Sequence, residues 1–166
     1  RELGDRGGVA DAEEILARAH LGLAADDAAL EHADRALRIR RRIGDMPGVA
    51  EALLTLARVH RRKGAVHAAV SRALEALSIR QEQADRFGAA QALTELARMY
   101  NALGLRDLAL RDGRKALDTY RALGVRHGEA RALATLGMLM CDAARFAEAF
   151  SYCGEALRLH RGVVDR

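Results

Sequence analysis

The chain repeats itself every 40 residues, and this internal repeat limits its possible folds more than any other feature does. Four copies, residues 1–40, 41–80, 81–120 and 121–160, align without a gap, and residues 161–166 begin the same register again. Seven positions are identical in all four copies; in the second copy they are Gly48, Ala50, Ala52, Leu56, Ala69, Ala76 and Leu77. Such a period indicates one supersecondary motif copied along the chain, with residues 1–166 forming a single repeat domain.

Each copy has the pattern of a helical hairpin. In the second copy, Val49, Leu53, Leu56 and neighbouring alanines form one apolar helix stripe, and a second stripe runs over residues 69–77. The pattern predicts helix A at about 46–63 and helix B at about 66–83, with the other copies offset by 40 residues. The chain has one proline and no tryptophan, which also favours an all-α fold with a core of small aliphatic residues.

Residues at the predicted helix ends are typical of caps. Glycines that suit the left-handed position after a helix recur at Gly4, Gly44 and Gly124. Aspartates that suit the following N-cap are found at Asp5, Asp45 and Asp85. Pro47 then falls in the first turn of a helix, where its missing N–H group costs no hydrogen bond. Small residues in the columns of Ala57, Ala69 and Ala76 are expected where helices A and B cross closely.

These positions carry a family resemblance. In the third copy the pattern reads Leu96, Ala97, Tyr100, Gly104, Ala109, Ala116 and Leu117. It resembles the tetratricopeptide repeat, although the usual tryptophan of helix A is absent and the period is 40 residues instead of 34. The longer period, with its connector around Gly44 and Gly48, resembles the extended subtype found in G-protein-signalling scaffolds and in sensor regions of bacterial ATP-dependent transcriptional regulators of the STAND and SARP types.

The resemblance implies an α-solenoid of four hairpins, a right-handed superhelix whose concave groove is built mainly from helix A. It implies a protein-interaction module that binds a peptide, a helix or a partner domain, as the sensor or regulatory arm of a larger bacterial regulator. Stacked hairpins that bury their stripes against each other also leave one long groove on physical grounds. Two other functions stay open: a receptor domain for a small signal molecule, and the non-catalytic arm of an enzyme.

The predicted groove residues are arginines with neutral polar neighbours. Arg18, Arg58 and Arg98 share one column, and guanidinium groups suit the carboxylates of an acidic partner. The alternative is that these arginines pair with Glu14, Glu51 or Glu95 on the same or adjacent helices. The full predicted set is Arg18, Leu54, Arg58, Arg61, Arg62, Gln91, Thr94, Arg98 and Asn101.

Charge and composition argue against other classes of function. The net charge is +4, but the positive charge is concentrated in the second repeat, and the first two repeats contain no aromatic residue for base stacking, so nucleic-acid binding by this segment is not expected. No P-loop, G-x-S-x-G motif or carboxylate pair is found, so neither catalysis nor a cofactor is expected. No apolar run is long enough for a membrane span. Two cysteines fit a reducing compartment, and a cytoplasmic location is predicted.

Histidines and cysteines are interpreted as packing residues. His20 and His60 share a column with Tyr100 and Met140, which indicates half-buried side chains instead of metal ligands. The thiols of Cys141 and Cys153 are predicted to be buried in helix seams.

The last helix B has apolar residues on the side where a following repeat would pack. Its residues are Phe146, Ala149, Phe150, Cys153, Ala156 and Leu157. A following repeat would ordinarily cover part of this surface, and uncovered apolar patches attract partners. We therefore expect self-association through the C-terminal end, and further repeats in the natural protein.

Overall fold

The computed structural model describes the backbone of residues 5–164 and the side chains up to residue 161. The described residues form eight α-helices and no strand: α1 Arg6–Gly22, α2 Asp26–Ile43, α3 Met46–Arg62, α4 Val66–Glu82, α5 Arg86–Ala102, α6 Arg106–Leu123, α7 Arg126–Asp142 and α8 Phe146–Val164. Helices α1, α3, α5 and α7 begin 40 residues apart, as do the four helices B, so the all-α prediction of repeated hairpins is confirmed. Residues 161–164 extend α8, and residues 165 and 166 lie outside the described part.

The helices fall into two units, α1–α4 in unit 1 and α5–α8 in unit 2. Inside each unit, helices A and B pair as hairpins, and the first helix B packs on the second helix A: α2 on α3, and α6 on α7. The two helices A of a unit also touch each other, α1 with α3 and α5 with α7. A helix A therefore has neighbours on more than one side.

Small residues occupy the close crossings of helices A and B, as the sequence predicts. Ala57, Ala69 and Ala76 are fully buried. In the fourth repeat the equivalent of Ala57 is Gly137, where an added methyl group would lie 2.5 Å from the Cys153 sulfur on α8. The backbones are thus too close for a larger side chain at these columns.

Glycines also mark the contacts between successive hairpins. A methyl group on Gly48 of α3 would overlap the Arg40 side chain of α2, and one on Gly128 of α7 would overlap the Tyr120 ring of α6. A methyl group on Gly113 of α6 would lie 2.9 Å from Cδ2 of Leu136 on α7. The identical glycine column of the repeat therefore makes room for the side chain that ends the preceding helix B.

The predicted aspartate caps are present. The carboxylates of Asp5, Asp45 and Asp85 accept hydrogen bonds from the N–H groups of Gly8, Gly48 and Gly88 at 2.8, 3.0 and 2.8 Å. Pro47 lies in the first turn of α3.

The left-handed turns are only partly those predicted. Gly44 and Gly124 have φ of 74° and 67° as expected, whereas Gly4 lies outside the described residues. Three alanines also adopt positive φ, namely Ala24, Ala84 and Ala144. These are equivalent to turn glycines of other repeats, so the backbone bends identically whether or not glycine is present.

Candidate functional site

The arginines of unit 1 differ in the ion pairs and hydrogen bonds that they form inside the unit. Arg18 of α1 is 60% exposed, and its Nη1 atom lies 3.6 Å from Oε1 of Glu51 on α3. This is the kind of pairing that the sequence left open as an alternative. An exposed pair at that distance is weak, so the Arg18 guanidinium is available to a competing carboxylate.

Arg62 has a structural role that the sequence did not predict. Its Nε atom lies 3.0 Å from Oδ1 of Asp26 at the start of α2, and Nη1 donates to the carbonyl oxygen of Leu21 near the end of α1. This side chain ties α3 to the turn of the first hairpin. Its guanidinium is therefore occupied by contacts inside unit 1.

Arg58 and Arg61 lie three residues apart on one face of α3, and both are half-buried. The Nε atom of Arg61 is buried and has no hydrogen-bond partner among the described residues. A buried donor without a partner is costly, but this atom is shielded from solvent, so an external carboxylate does not reach it directly.

Two predicted groove residues are buried instead of presented to a partner. Leu54 belongs to the core, and the buried Thr94 hydroxyl donates to the carbonyl oxygen of Ala90 at 2.8 Å. Their column faces a neighbouring helix A: the equivalent Glu14 of α1 accepts a 2.5 Å hydrogen bond from Thr55 of α3. The expectation that this column lines a free surface is therefore wrong for Leu54 and Thr94.

The remaining predicted residues lie on α5 in unit 2. Gln91, Arg98 and Asn101 are half-buried. Asn101 donates through Nδ2 to Oδ2 of Asp142 at 2.5 Å and so links α5 to α7. The Nε atom of Arg98, like that of Arg61, is buried without a hydrogen-bond partner in the described part of the chain. Arg61 in unit 1 and Arg98 in unit 2 thus each have a buried Nε–H group without a hydrogen-bond acceptor among the described residues.

Glu14 is a buried carboxyl group with an altered pKa. Burial raises its pKa, and the nearby charge of Glu51 adds to this effect, whereas the Thr55 hydrogen bond and the charges of Arg40 and Arg18 oppose it. The net shift of the pKa is upward, so Glu14 is protonated more readily in the folded unit than in the unfolded chain.

The histidine prediction agrees with the structure, and the cysteine prediction does not. His20 is half-buried and stacks on His32 with ring centroids 5.2 Å apart, and Nδ1 of His32 lies 2.5 Å from Oε2 of Glu13. Cys141 and Cys153 are both exposed, although the Cys153 sulfur on α8 lies beside Gly137 of α7. No cluster among the described residues offers three or more ligands to a metal ion.

The surface depressions of unit 2 are charged and open. One has a volume of about 640 Å³, and its lining comprises Arg86, Asp107, Leu110, Arg111, Arg114, Lys115, Asp118 and Thr119. A smaller one of about 180 Å³ lies between α5, α6 and α7, next to Asn101 and Met140. Neither is the closed apolar pocket that a small-molecule receptor requires.

Comparison with protein families identifies the repeat. Two family models, both described as tetratricopeptide repeat, match the chain, one over residues 8–82 and the other over residues 89–127 and 130–166. The chain belongs to the tetratricopeptide repeat family. Tetratricopeptide repeat proteins are in general non-catalytic scaffolds, and the repeats make this chain a protein-interaction module.

Solved structures share the fold at low sequence identity. BtubC (BKLC) from P. vanneervenii is 20% identical with a TM-score of 0.80, and the match covers 100% of this chain and 68% of BtubC. The apo form of RapI is 16% identical with a TM-score of 0.83, covering 99% of this chain and 60% of RapI. MamA is 18% identical with a TM-score of 0.64, covering 95% and 81%. At these identities the likeness establishes a helical-repeat fold of the α-solenoid class.

Two further findings complete the comparison. A search among curated proteins gives no match to the sequence. No helix in the described part of the chain is both long enough and apolar enough to cross a lipid bilayer.

Proposed function

We propose that the chain binds an acidic peptide or helix in a concave groove formed by the helices A of unit 1, α1 and α3. The observation that carries this proposal is the set of arginines in unit 1, Arg18, Arg58 and Arg61, which we call the arginine cluster. Arg18 is exposed beside only a weak ion pair, and Arg61 holds a buried Nε atom without a hydrogen-bond partner among the described residues. A partner's carboxylate can pair with the exposed Arg18 guanidinium, and the half-buried Arg58 and Arg61 lie on one face of α3 beside it in sequence register.

Charge supports the choice of an acidic partner. The second repeat, residues 41–80, contains 8 basic and 3 acidic residues, whereas the first contains 6 basic and 9 acidic ones. A local positive field of this kind speeds the encounter with an acidic segment and disfavours a basic one.

We also propose a cellular role for this binding. The 40-residue period resembles that of the extended repeats in sensor regions of bacterial transcriptional regulators, and the chain would act there as a cytoplasmic sensor or regulatory arm. The full-length gene tests this part: a P-loop or a helix-turn-helix motif in the flanking sequence is expected. Flanking catalytic domains would instead favour the arm of an enzyme.

Charge reversal in the cluster tests the acidic partner. We expect Arg58→Glu with Arg61→Glu to weaken binding of a fluorescent glutamate-leucine peptide by about tenfold or more, because attraction becomes repulsion. Added salt should weaken the wild-type interaction. Arg62 is left unchanged since it holds α3 to the first hairpin.

A second double reversal controls for net charge. Arg38 and Arg42 are exposed on α2, and changing both to glutamate alters the net charge equally. This variant should bind the peptide nearly as the wild type does, and circular dichroism should show folded protein in every case. Equal weakening by both variants, or equal affinity for a lysine-leucine peptide, would contradict a specific acidic groove.

A further inference from the structure

We propose that unit 2 binds a small soluble oligophosphate, an anion with two or more linked phosphate groups, in the depression of about 640 Å³ on α6. We call this surface the α6 depression, because all but one of its lining residues belong to that helix. The arginine cluster lies on α1 and α3 of unit 1, so this second site does not depend on the proposed acidic partner.

Four cations surround the α6 depression. They are Arg111, Arg114 and Lys115 of α6 and Arg86 in the first turn of α5, and all four side chains are exposed. Arg111, Arg114 and Lys115 have the spacing i, i+3, i+4, so three positive charges share one helix face within about 6 Å of helix length. Like charges at this spacing repel each other, and an anion bound between them would remove that cost.

These cations are available to a ligand. Among the described residues, no ion pair joins Arg86, Arg114 or Lys115 to a carboxylate. Arg111 is oriented by its neighbour, since its Nε atom donates to Oδ1 of the buried Asp112 at 2.8 Å. This bond leaves the two Nη atoms of Arg111 without a hydrogen-bond partner in the described part of the chain, and a guanidinium can present both to the oxygens of one phosphate.

The basic face of α6 is specific to the third repeat. In each of the other repeats the three equivalent positions contain one more acidic than basic residue: Glu31, Asp34 and Arg35; Ser71, Leu74 and Glu75; Ser151, Gly154 and Glu155. The one arginine among them, Arg35, lies 3.5 Å from Glu31 in an ion pair. The hairpin therefore folds without a cluster of cations at these positions, so packing of the repeat does not explain it.

The lining of the α6 depression favours a short polyanion. Its volume is in the range of small-ligand sites, and its four cations exceed the charge of a single phosphate group, about −2 at neutral pH. No aromatic side chain of the described residues lines it, so it offers no stacking surface to nucleic-acid bases. Asp107 and Asp118 flank the cations along α6, and they repel a long polyanion or a flat anionic membrane more than a short ion bound between them.

Isothermal titration calorimetry with inorganic triphosphate tests the site. We expect one triphosphate ion to bind per chain, about tenfold or more tightly than inorganic monophosphate, and added sodium chloride to weaken it. Arg114→Gln with Lys115→Gln should weaken triphosphate binding by about tenfold or more, because two attractive charges are removed. Both side chains are exposed and glutamine is a good helix former, so circular dichroism should show an unchanged fold.

Arg126→Gln with Arg158→Gln is the matched control. Both arginines are exposed in unit 2 and lie outside the α6 depression, at positions equivalent to Arg86 and Asp118. This variant loses the same net charge and should bind triphosphate nearly as the wild type does. Equal weakening by the two variants overturns the proposal. So does a wild type that binds no triphosphate, or that binds monophosphate as tightly.

Two further measurements separate the α6 depression from other anion sites. The chain should not sediment with phosphatidylserine vesicles, and a chain that binds the vesicles but not triphosphate overturns the proposal in favour of a lipid surface. The Arg58→Glu/Arg61→Glu protein should bind triphosphate as the wild type does, and loss of binding there would place the anion at the arginine cluster instead. The Arg114→Gln/Lys115→Gln protein should keep its affinity for the glutamate-leucine peptide, so failure of one site is distinguishable from failure of the other.

Discussion

At the scale of single residues, some of the turns contain alanine in a backbone conformation that favours glycine. The hairpin turns contain Ala24, Gly64, Gly104 and Ala144 at equivalent positions, all with positive φ. An alanine in the left-handed region is strained, because its Cβ atom approaches the following carbonyl oxygen. The sequence places glycine and alanine at the same position of the repeat. It does not predict that the alanines adopt the left-handed backbone conformation of the glycines.

Glycine at these turns should stabilise the fold. We expect Ala24→Gly and Ala144→Gly each to raise the free energy of unfolding by roughly 0.5–1 kcal/mol, the relief of strain minus the added entropy of the unfolded chain. Gly64→Ala should lower it by a similar amount, since φ is 77° there. Urea unfolding monitored by circular dichroism measures all three. Loss of stability in both glycine variants would show that these turns are not strained.

The buried carboxyl group of Glu14 predicts a pH dependence. Its folded pKa is raised, so its stabilising contribution is complete below the unfolded pKa and is lost as pH rises through the folded pKa. We expect Glu14→Gln to be more stable than the wild type at neutral pH, with the difference vanishing at about pH 4. Glutamine can still accept the hydrogen bond from Thr55. Thermal melts across this range measure the effect, and a wild type that is the more stable at neutral pH would contradict it.

At the scale of helices, the sequence predicted the hairpins well because one stripe per helix was enough to define them. The predicted limits of helices A and B in the second repeat agree with α3 and α4 within a residue. The partner surface was predicted less well. Leu54 and Thr94 lie opposite the stripe that meets helix B, and on that ground they were expected to be accessible to a partner. They are buried, since helices A also pack on each other, and the apolar pattern of a single helix does not indicate that contact.

Overpacking the helix crossings tests the steric role of the small columns. Ala69 and Ala109 are fully buried, so Ala69→Leu and Ala109→Leu should each lower the free energy of unfolding by about 1–3 kcal/mol. Ala68→Leu is the matched control, since Ala68 is the exposed neighbour of Ala69 and its replacement should change stability little. Thermal melts that do not distinguish Ala69→Leu from Ala68→Leu would place the close contact elsewhere.

At the scale of the whole molecule, the repeat gives both units the same internal contact. Within each unit the first helix B packs on the second helix A, α2 on α3 and α6 on α7. The sequence predicted one apolar surface on the last helix B, but the residues of that set differ in the structure: Phe150 and Leu157 are 83% and 55% exposed, whereas Ala149 and Ala156 are buried. The two alanines belong to the small columns that meet helix A of their own hairpin, and the apolar pattern of one helix does not separate such residues from those that face outward.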